Sequence, residues 1–146
     1  RSVAVTGVQT CALPISDLDT TKGQAFGEKF ASIYIKTLEN ISNGPEDATI
    51  IAKQYENLSK NLSALYVPES LQKSYNELVN NFYNTAIVLA ISENYDKDPL
   101  KALQALKSFQ ELQKRQPILF TTMANYFRRN DILFTNKETQ ALWQRY

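Results

Sequence analysis

The sequence predicts an all-α fold: an antiparallel four-helix up-down bundle with a kinked last helix and a short extended C-terminal tail. Apolar residues recur at steps of three and four in four segments, which is the helical period. Breaks at Pro45, Pro68 and Pro99 separate these segments, because proline cannot continue a helix but can begin one. Short loops between helices favour antiparallel neighbours, which gives the up-down order.

The first predicted helix follows a group of candidate N-cap residues and ends at Gly44. The candidates are Asp17, Asp19, Thr20 and Thr21. The side chains expected to face the core are Phe26, Phe30, Ile33, Tyr34, Leu38 and Ile41. Gly44 is predicted to take the left-handed conformation that commonly ends a helix, and Pro45 to start the next helix.

The second helix is expected to carry Glu46 and Asp47 in its first turn, where the helix dipole favours carboxylates. Its apolar residues step by four and three, at Ile51, Tyr55, Leu58, Leu62 and Leu65. Pro68 is predicted to open the third helix, whose core residues are Leu71, Tyr75, Leu78, Phe82, Ala86 and Leu89.

The fourth helix is predicted to start with Asp98 as N-cap and Pro99 in its first turn. Its first apolar face would comprise Leu100, Leu103, Leu106, Phe109 and Leu112. Apolar spacing continues beyond Pro117, so this proline is expected to kink the helix rather than end it. Asn130 is predicted as the left-handed stop, followed by a short extended segment, Ile132 to Phe134. Thr135 to Glu138 has capping-box spacing, which predicts a last short helical turn that presents Trp143.

The first sixteen residues form a distinct segment. Val5 to Ile15 reads VTGVQTCALPI, which resembles one translated frame of a common short-read sequencing-library adapter. We therefore interpret residues 1–16 as an assembly artefact, expected to be disordered or poorly packed and to add nothing to the core. Residues 17–146 would then form a single helical domain, an N-terminally truncated fragment of a longer protein.

Setting that segment aside changes the chemistry that the chain can carry. The only cysteine, Cys11, is lost, and the chain has no histidine. Loss of Arg1 takes the formal charge from +1 to 0, with 15 basic and 15 acidic residues. A neutral chain has no long-range attraction for nucleic acid. The predicted partners therefore exclude nucleic acid, and membrane contact would occur only through a segment preceding Asp17.

The composition also excludes the common catalytic sites. Without histidine, there can be no Glu-x-x-His pair of a di-iron bundle and no Ser-His-Asp triad. No glycine-rich phosphate loop is present. The sequence therefore predicts a non-enzymatic domain with no catalytic residue and no cofactor.

Three acidic residues in one loop are the single candidate for a cation site. Glu93, Asp96 and Asp98 could offer oxygen ligands to a hard cation. However, their spacing lacks the glycine and the terminal glutamate of an EF-hand loop, and Asp98 is better explained as a helix cap.

Two features of the third helix could mark a partner surface. Residues 85–91 are apolar on all sides, as in a central helix buried on two sides or in a partner-binding patch. Asn76, Asn80 and Asn84 recur at steps of four, which we interpret as a solvated face, with partner or glycan binding as the alternative. The residues predicted to contact a protein partner are Ile87, Val88, Ile91, Phe134 and Trp143.

Short motifs between residues 63 and 138 resemble an uncharacterised helical family of small-genome candidate-phylum bacteria. They include Val67-Pro68, Asn80-Asn81, Asp98-Pro99-Leu100-x-Ala102-Leu103 and Ala124-Asn125-Tyr126-Phe127, followed by Ile132-x-Phe134-Thr135. Members of that family look like extracytoplasmic proteins tethered by an N-terminal membrane segment, and no active site is established for them. The resemblance implies an extracytoplasmic domain, membrane-tethered in the full-length protein.

The leading hypothesis is thus a non-enzymatic helical domain that makes protein contacts at the bacterial cell envelope. The alternatives are a bundle that binds a small ligand or cation in a pocket between helices, and an untethered cytosolic bundle. The sequence does not separate the last of these from the first.

Overall fold

The computed structural model describes residues 12–146, and its fold is all-α, as predicted. Five α-helices lie in this part of the chain: α1 (Thr20–Asn43), α2 (Ala48–Ser63), α3 (Gln72–Ser92), α4 (Pro99–Arg129) and α5 (Lys137–Gln144). Two three-residue strands, β1 (Leu13–Ile15) and β2 (Tyr66–Pro68), form a parallel pair. A single 3-10 turn, Glu69–Leu71, connects β2 to α3.

Side-chain caps begin four of these helices. Asp19, Asp47, Asp98 and Asn136 each accept a hydrogen bond from a backbone N–H of the first turn that follows. Asp19 and Asp98 are caps as predicted. Asp47 is the cap of α2 rather than part of its first turn, and Asn136 replaces Thr135 at the start of α5.

Gly44 and Asn130 follow the last residues of α1 and α4, as predicted, but three other expectations about helix ends are wrong. Pro68 ends β2 instead of opening α3, because the chain first pairs with β1. Gly44 is extended rather than left-handed, and a Cβ there would lie 2.8 Å from the carbonyl oxygen of Asn40. Close approach to the last helical turn explains this glycine. The left-handed residue after α4 is Asp131, with φ of 54°, and not Asn130.

Side-chain hydrogen bonds join the consecutive helices α2, α3 and α4. The Tyr75 hydroxyl near the start of α3 donates to the carbonyl of Leu62 at the end of α2. Asn81 of α3 hydrogen-bonds residues 112 and 116 of α4, while Glu77, one turn earlier, reaches Arg115. α3 therefore lies between α2 and α4, as expected for a central helix buried on two sides.

Aromatic rings fill the space between α1 and α4. Phe30 meets Tyr75, Phe120 and Trp143 with ring centroids 5.4–6.0 Å apart, in edge-on and tilted geometries that aromatic pairs prefer. The other rings of this cluster are Phe26, Tyr34, Phe82, Phe127, Phe134 and Tyr146. This cluster is the centre of the hydrophobic core.

The segment that follows α4 forms no strand, and the short last helix that the sequence predicted follows it as α5. Ile132 and Phe134 are buried, and Trp143 of α5 donates its indole N–H to the carbonyl of Gly27 at 3.3 Å. Gly27 permits this approach, because a Cβ there would lie 2.5 Å from the ring of Phe134. The C-terminal segment is therefore part of the core.

The expectation that residues 1–16 add nothing to the core is wrong for Ala12 and Ile15. Both side chains are buried, and β1 pairs in register with β2. The Gln72 amide also donates to the carbonyl of Ala12 at 2.6 Å. Strand pairing uses backbone groups that any sequence carries, so the segment packs whatever its origin. Residues 1–11 lie outside the described part of the chain.

Candidate functional site

Three of the five residues predicted to contact a partner are buried. Val88 lies two turns from Asn81 on the side of α3 that packs against α4, and it is 2% exposed. Phe134 packs edge-on against Phe127, and Trp143 contacts three rings of the core. The predicted contact surface is therefore wrong for Val88, Phe134 and Trp143.

The two remaining contact candidates, Ile87 and Ile91, are half-buried. Ile87 lines a shallow groove between α2 and α3 together with Ile50 and Tyr83. Because Val88, Phe134 and Trp143 are buried, Ile87 and Ile91 do not share an exposed apolar surface with them.

The acidic residues proposed for a cation serve mainly as helix caps. A carboxylate oxygen of Glu93 accepts the backbone N–H of Ala48 at 3.1 Å, and Asp98 accepts that of Lys101 at 3.1 Å. Within residues 12–146, no three acidic, histidine or cysteine side chains lie close enough together to hold a metal ion. The geometry thus assigns Glu93 and Asp98 to helix ends and leaves Asp96 exposed in the loop.

The first half of α4 exposes a row of leucines that the sequence predicted to be core. Leu100, Leu103 and Leu106 are 68%, 53% and 52% exposed. We refer to these three residues as the leucine row. The side chains buried here are the small ones, Ala102, Ala105 and Ser108.

The three-residue spacing alone could not show whether the leucines or the small residues of α4 face the core. The leucines and the small residues both recur every three positions along α4. Leu103 directly follows the buried Ala102, and Leu106 directly follows the buried Ala105, which places each leucine about 100° around the helix from its alanine. The leucines were predicted to face the core because they are the larger apolar residues. In the structure, however, α4 packs against α3 through its small residues. Close approach of the two helices explains this choice, since large side chains would hold them apart.

Oppositely charged segments flank the leucine row. The preceding loop, residues 93–98, carries three carboxylates and one lysine. Residues 99–114 carry three lysines and one glutamate. Lys107 and Lys114 lie on the same side of α4 as Leu100 and Leu103, at the helical spacings of four and seven that place residues on one face.

Buried polar groups join α3 to α4 next to Pro117. The Asn81 amide nitrogen donates to the carbonyl of Leu112 at 3.0 Å, and its oxygen accepts from Gln116 at 2.8 Å. Proline lacks an N–H, so the carbonyl of Gln113, four residues before Pro117, loses its usual helical donor. α4 continues through Pro117, as predicted, and the Asn81 side chain binds α4 at the carbonyl one residue before that of Gln113.

The asparagine stripe of α3 is not a solvated face. Asn76, Asn80 and Asn84 are half-buried, and the side-chain oxygens of Asn76 and Asn84 are shielded from solvent. Nearby, Glu77 forms an ion pair with Arg115, whose hydrogen bond lowers the pKa of the Glu77 carboxyl. This side of α3 is therefore a polar seam against its neighbours rather than a free surface.

A cleft of about 680 Å³ opens beside the strand pair. Ile15 and Phe26 are buried at its base, and Lys22 and Lys29 of α1 lie exposed along its wall. Pro14 to Ser16, from the segment that resembles an adapter, forms another wall. The Lys22 ammonium also pairs with Asp19 at 3.9 Å. Together with Lys29 over an apolar base, it suits a ligand with an anionic head and an apolar body.

Among the helices that the structure describes, none combines the length and apolar character needed to cross a membrane. Comparison of the chain with protein-family models, with curated proteins and with solved structures gives no match.

Proposed function

We propose that this chain is a non-enzymatic helical domain that binds a protein partner through the leucine row of α4. The observation that carries the proposal is the exposure of three leucines on successive turns of one helix. An apolar patch of adjacent exposed side chains on a small domain is typical of an interaction site, whereas single exposed apolar residues are ordinary.

Two features of the fold support this surface over the one predicted from sequence. The rings of Trp143 and Tyr146 pack on Phe120, beyond Pro117, so these ring contacts lie away from the row. Tyr95, in the loop before α4, is also exposed. Tyrosine suits such a surface because it combines a large ring with a polar hydroxyl.

Capture of partners by matched variants tests this proposal. Immobilised wild-type protein, a Leu103→Lys Leu106→Lys variant and a Leu133→Lys control would be exposed to a bacterial envelope extract. Leu133 is exposed outside the row, so its variant adds a charge without altering the surface. Proteins retained by the wild type and the control should be lost from the double variant; equal retention by all three contradicts the proposal.

The cell-envelope location rests on the family resemblance. It is tested by the genomic codons upstream of Asp17, recovered by trimming adapter sequence and reassembling the reads. A signal peptide, a lipidated cysteine or a membrane helix would support an extracytoplasmic, tethered domain. A start codon immediately before Asp17 would overturn it.

The cleft beside the strands favours a second candidate function, the carriage of a small anionic amphiphile. Decanoate is a suitable probe, and calorimetric titration of wild type against a Lys22→Gln Lys29→Gln variant measures the contribution of the two lysines. We expect binding to the wild type and a loss of at least about tenfold in the variant, because two charge-assisted contacts disappear. No heat of binding to the wild type would eliminate this function.

A further inference from the structure

We infer that the partner on the leucine row is a second copy of this chain, arranged so that the two α4 helices run antiparallel across a twofold axis at Leu103. The inference rests on the proposed function of that row. It follows from two features of the sequence order: the leucine row is symmetric about Leu103, and acidic residues precede the row whereas Lys107 follows it.

The leucines have the symmetry that such a dimer requires. A twofold axis brings the same surface of both copies together, so residues equally far on either side of the axis face each other. With Leu103 on the axis, Leu100 of one copy faces Leu106 of the other, and Leu103 faces itself. All three leucines are then covered, at the spacing of three that forms a ridge on a helix surface.

The charges select the antiparallel arrangement. Reversal about residue 103 places Lys107 opposite Pro99 of the second copy, beside Asp98 and within reach of Asp96. A parallel arrangement would instead set each lysine against its own copy, which is unfavourable.

The size of the surface predicts a weak dimer. Stable complexes bury roughly 800 Å² on each partner, and three leucines with one tyrosine offer less. We therefore expect dissociation in the range of about 10 µM to about 1 mM, rather than an obligate dimer.

Sedimentation of the purified full chain across that concentration range tests the inference. The wild type and Leu133→Lys should shift from monomer to dimer together. Leu103→Lys should weaken association by at least about tenfold, because it places two ammonium groups against each other on the axis. Circular dichroism should show that the variant stays folded, since Leu103 is more than half exposed.

Two charge reversals test the antiparallel register. Lys107→Glu and Asp96→Lys should each weaken self-association by about five- to tenfold, because each creates two like-charge pairs in the dimer. An equimolar mixture of the two variants should associate about as well as the wild type, since both cross-pairs become opposite in sign. In a parallel dimer, each variant alone would associate like the wild type, and the mixture would associate better than the wild type.

The outcomes separate this inference from the proposed function. A wild type that stays monomeric up to about 1 mM overturns the dimer, and so does a dimer that Leu103→Lys leaves intact. If the chain is monomeric but Leu103→Lys Leu106→Lys still loses its captured proteins, the row binds a foreign partner and only the inference fails. If neither self-association nor the capture of other proteins depends on the leucine row, the dimer and the proposed function are both wrong.

Discussion

At the scale of single residues, the buried tyrosines couple the stability of the fold to alkaline pH. Tyr75 is fully buried, and its hydroxyl donates to the carbonyl of Leu62 at 2.6 Å. Burial raises the pKa of Tyr75 and of Tyr34 above the ordinary tyrosine value, because the phenolate would lose its hydration in the core. The native state therefore favours the neutral form of both hydroxyls.

The sign of the resulting pH dependence follows from linkage. A folded pKa above the unfolded value of about 10 leaves stability intact below that pH and reduces it as pH rises further. Tyr75→Phe should lower the free energy of unfolding by about 1 kcal/mol at neutral pH. It should also make the alkaline decline shallower by up to about 1.4 kcal/mol per pH unit.

Urea unfolding followed by Trp143 fluorescence between about pH 8 and about pH 11 measures both effects. Tyr95→Phe, which changes an exposed ring, is the matched control. An alkaline decline that is identical in wild type and Tyr75→Phe would contradict the prediction.

Gly27 allows a second prediction at this scale. A methyl group there would overlap the ring of Phe134 and lie 2.9 Å from that of Phe127, and both rings are buried. Alanine gains about 1 kcal/mol of helix propensity over glycine, but overpacking costs about 1–3 kcal/mol. Because the overlap is with two buried rings, the overpacking cost should lie in the upper part of that range, at about 2–3 kcal/mol, so Gly27→Ala should destabilise the protein by about 1–2 kcal/mol net.

The matched variant is Gly23→Ala. Its methyl group would meet the flexible end of Ile132 at 3.0 Å and the Tyr126 hydroxyl at 3.1 Å. The cost should be smaller, and thermal unfolding of the two variants compares them. Equal stability of Gly27→Ala and the wild type would show that the C-terminal segment is not held where the contacts place it.

At the scale of elements, two buried side-chain amides, those of Asn81 and Gln116, link α3 to α4 just before Pro117. Asn81→Leu would remove the donor to the carbonyl of Leu112 and leave the buried Gln116 amide without its acceptor. A buried polar group without a partner costs about 1–3 kcal/mol, so we expect a loss in this range. Asn81→Leu Gln116→Leu should recover part of it, because the orphaned amide is then gone.

Denaturant midpoints of Asn81→Leu, Gln116→Leu and the double variant measure this coupling. If the double variant loses the sum of the single losses, the two amides act independently and the link is not a unit.

The helices themselves could be predicted from sequence, because caps and proline positions act locally. Asp98 and Pro99 begin α4 where the sequence placed them, and α4 continues past Pro117 as expected. The orientation of α4 could not be predicted, because helix packing decides between two residue sets with the same spacing. The candidate contact surface was missed for this reason, and the exposed leucines are visible only once Ala102 and Ala105 are known to face inward.

At the scale of the whole molecule, a three-residue strand connects the beginning of the described chain to the middle of the fold. Sequence patterns gave no sign of it, since pairing of β1 with β2 depends on residues about fifty positions apart. The backbone N–H of Ser70 also donates to the Asp17 side chain at 3.1 Å, next to the strand pair. The edge of β2 thus receives an extended segment through contacts that depend mainly on backbone atoms.

Removal of residues 1–16 tests how much this pairing contributes. The deletion exposes the edge of β2, removes the hydrogen bond from Gln72 and takes Ile15 out of the core. Burial of one isoleucine side chain alone is worth about 1.5–3 kcal/mol, so the shortened chain should lose about 2–3 kcal/mol in urea unfolding while keeping its helical circular dichroism. Ile15→Ser in the full chain should reproduce most of the loss, and Leu13→Ser, on the exposed side of β1, should not. If the deletion leaves stability unchanged, β1 adds nothing to the fold, and the original expectation of a poorly packed N-terminal segment would hold after all.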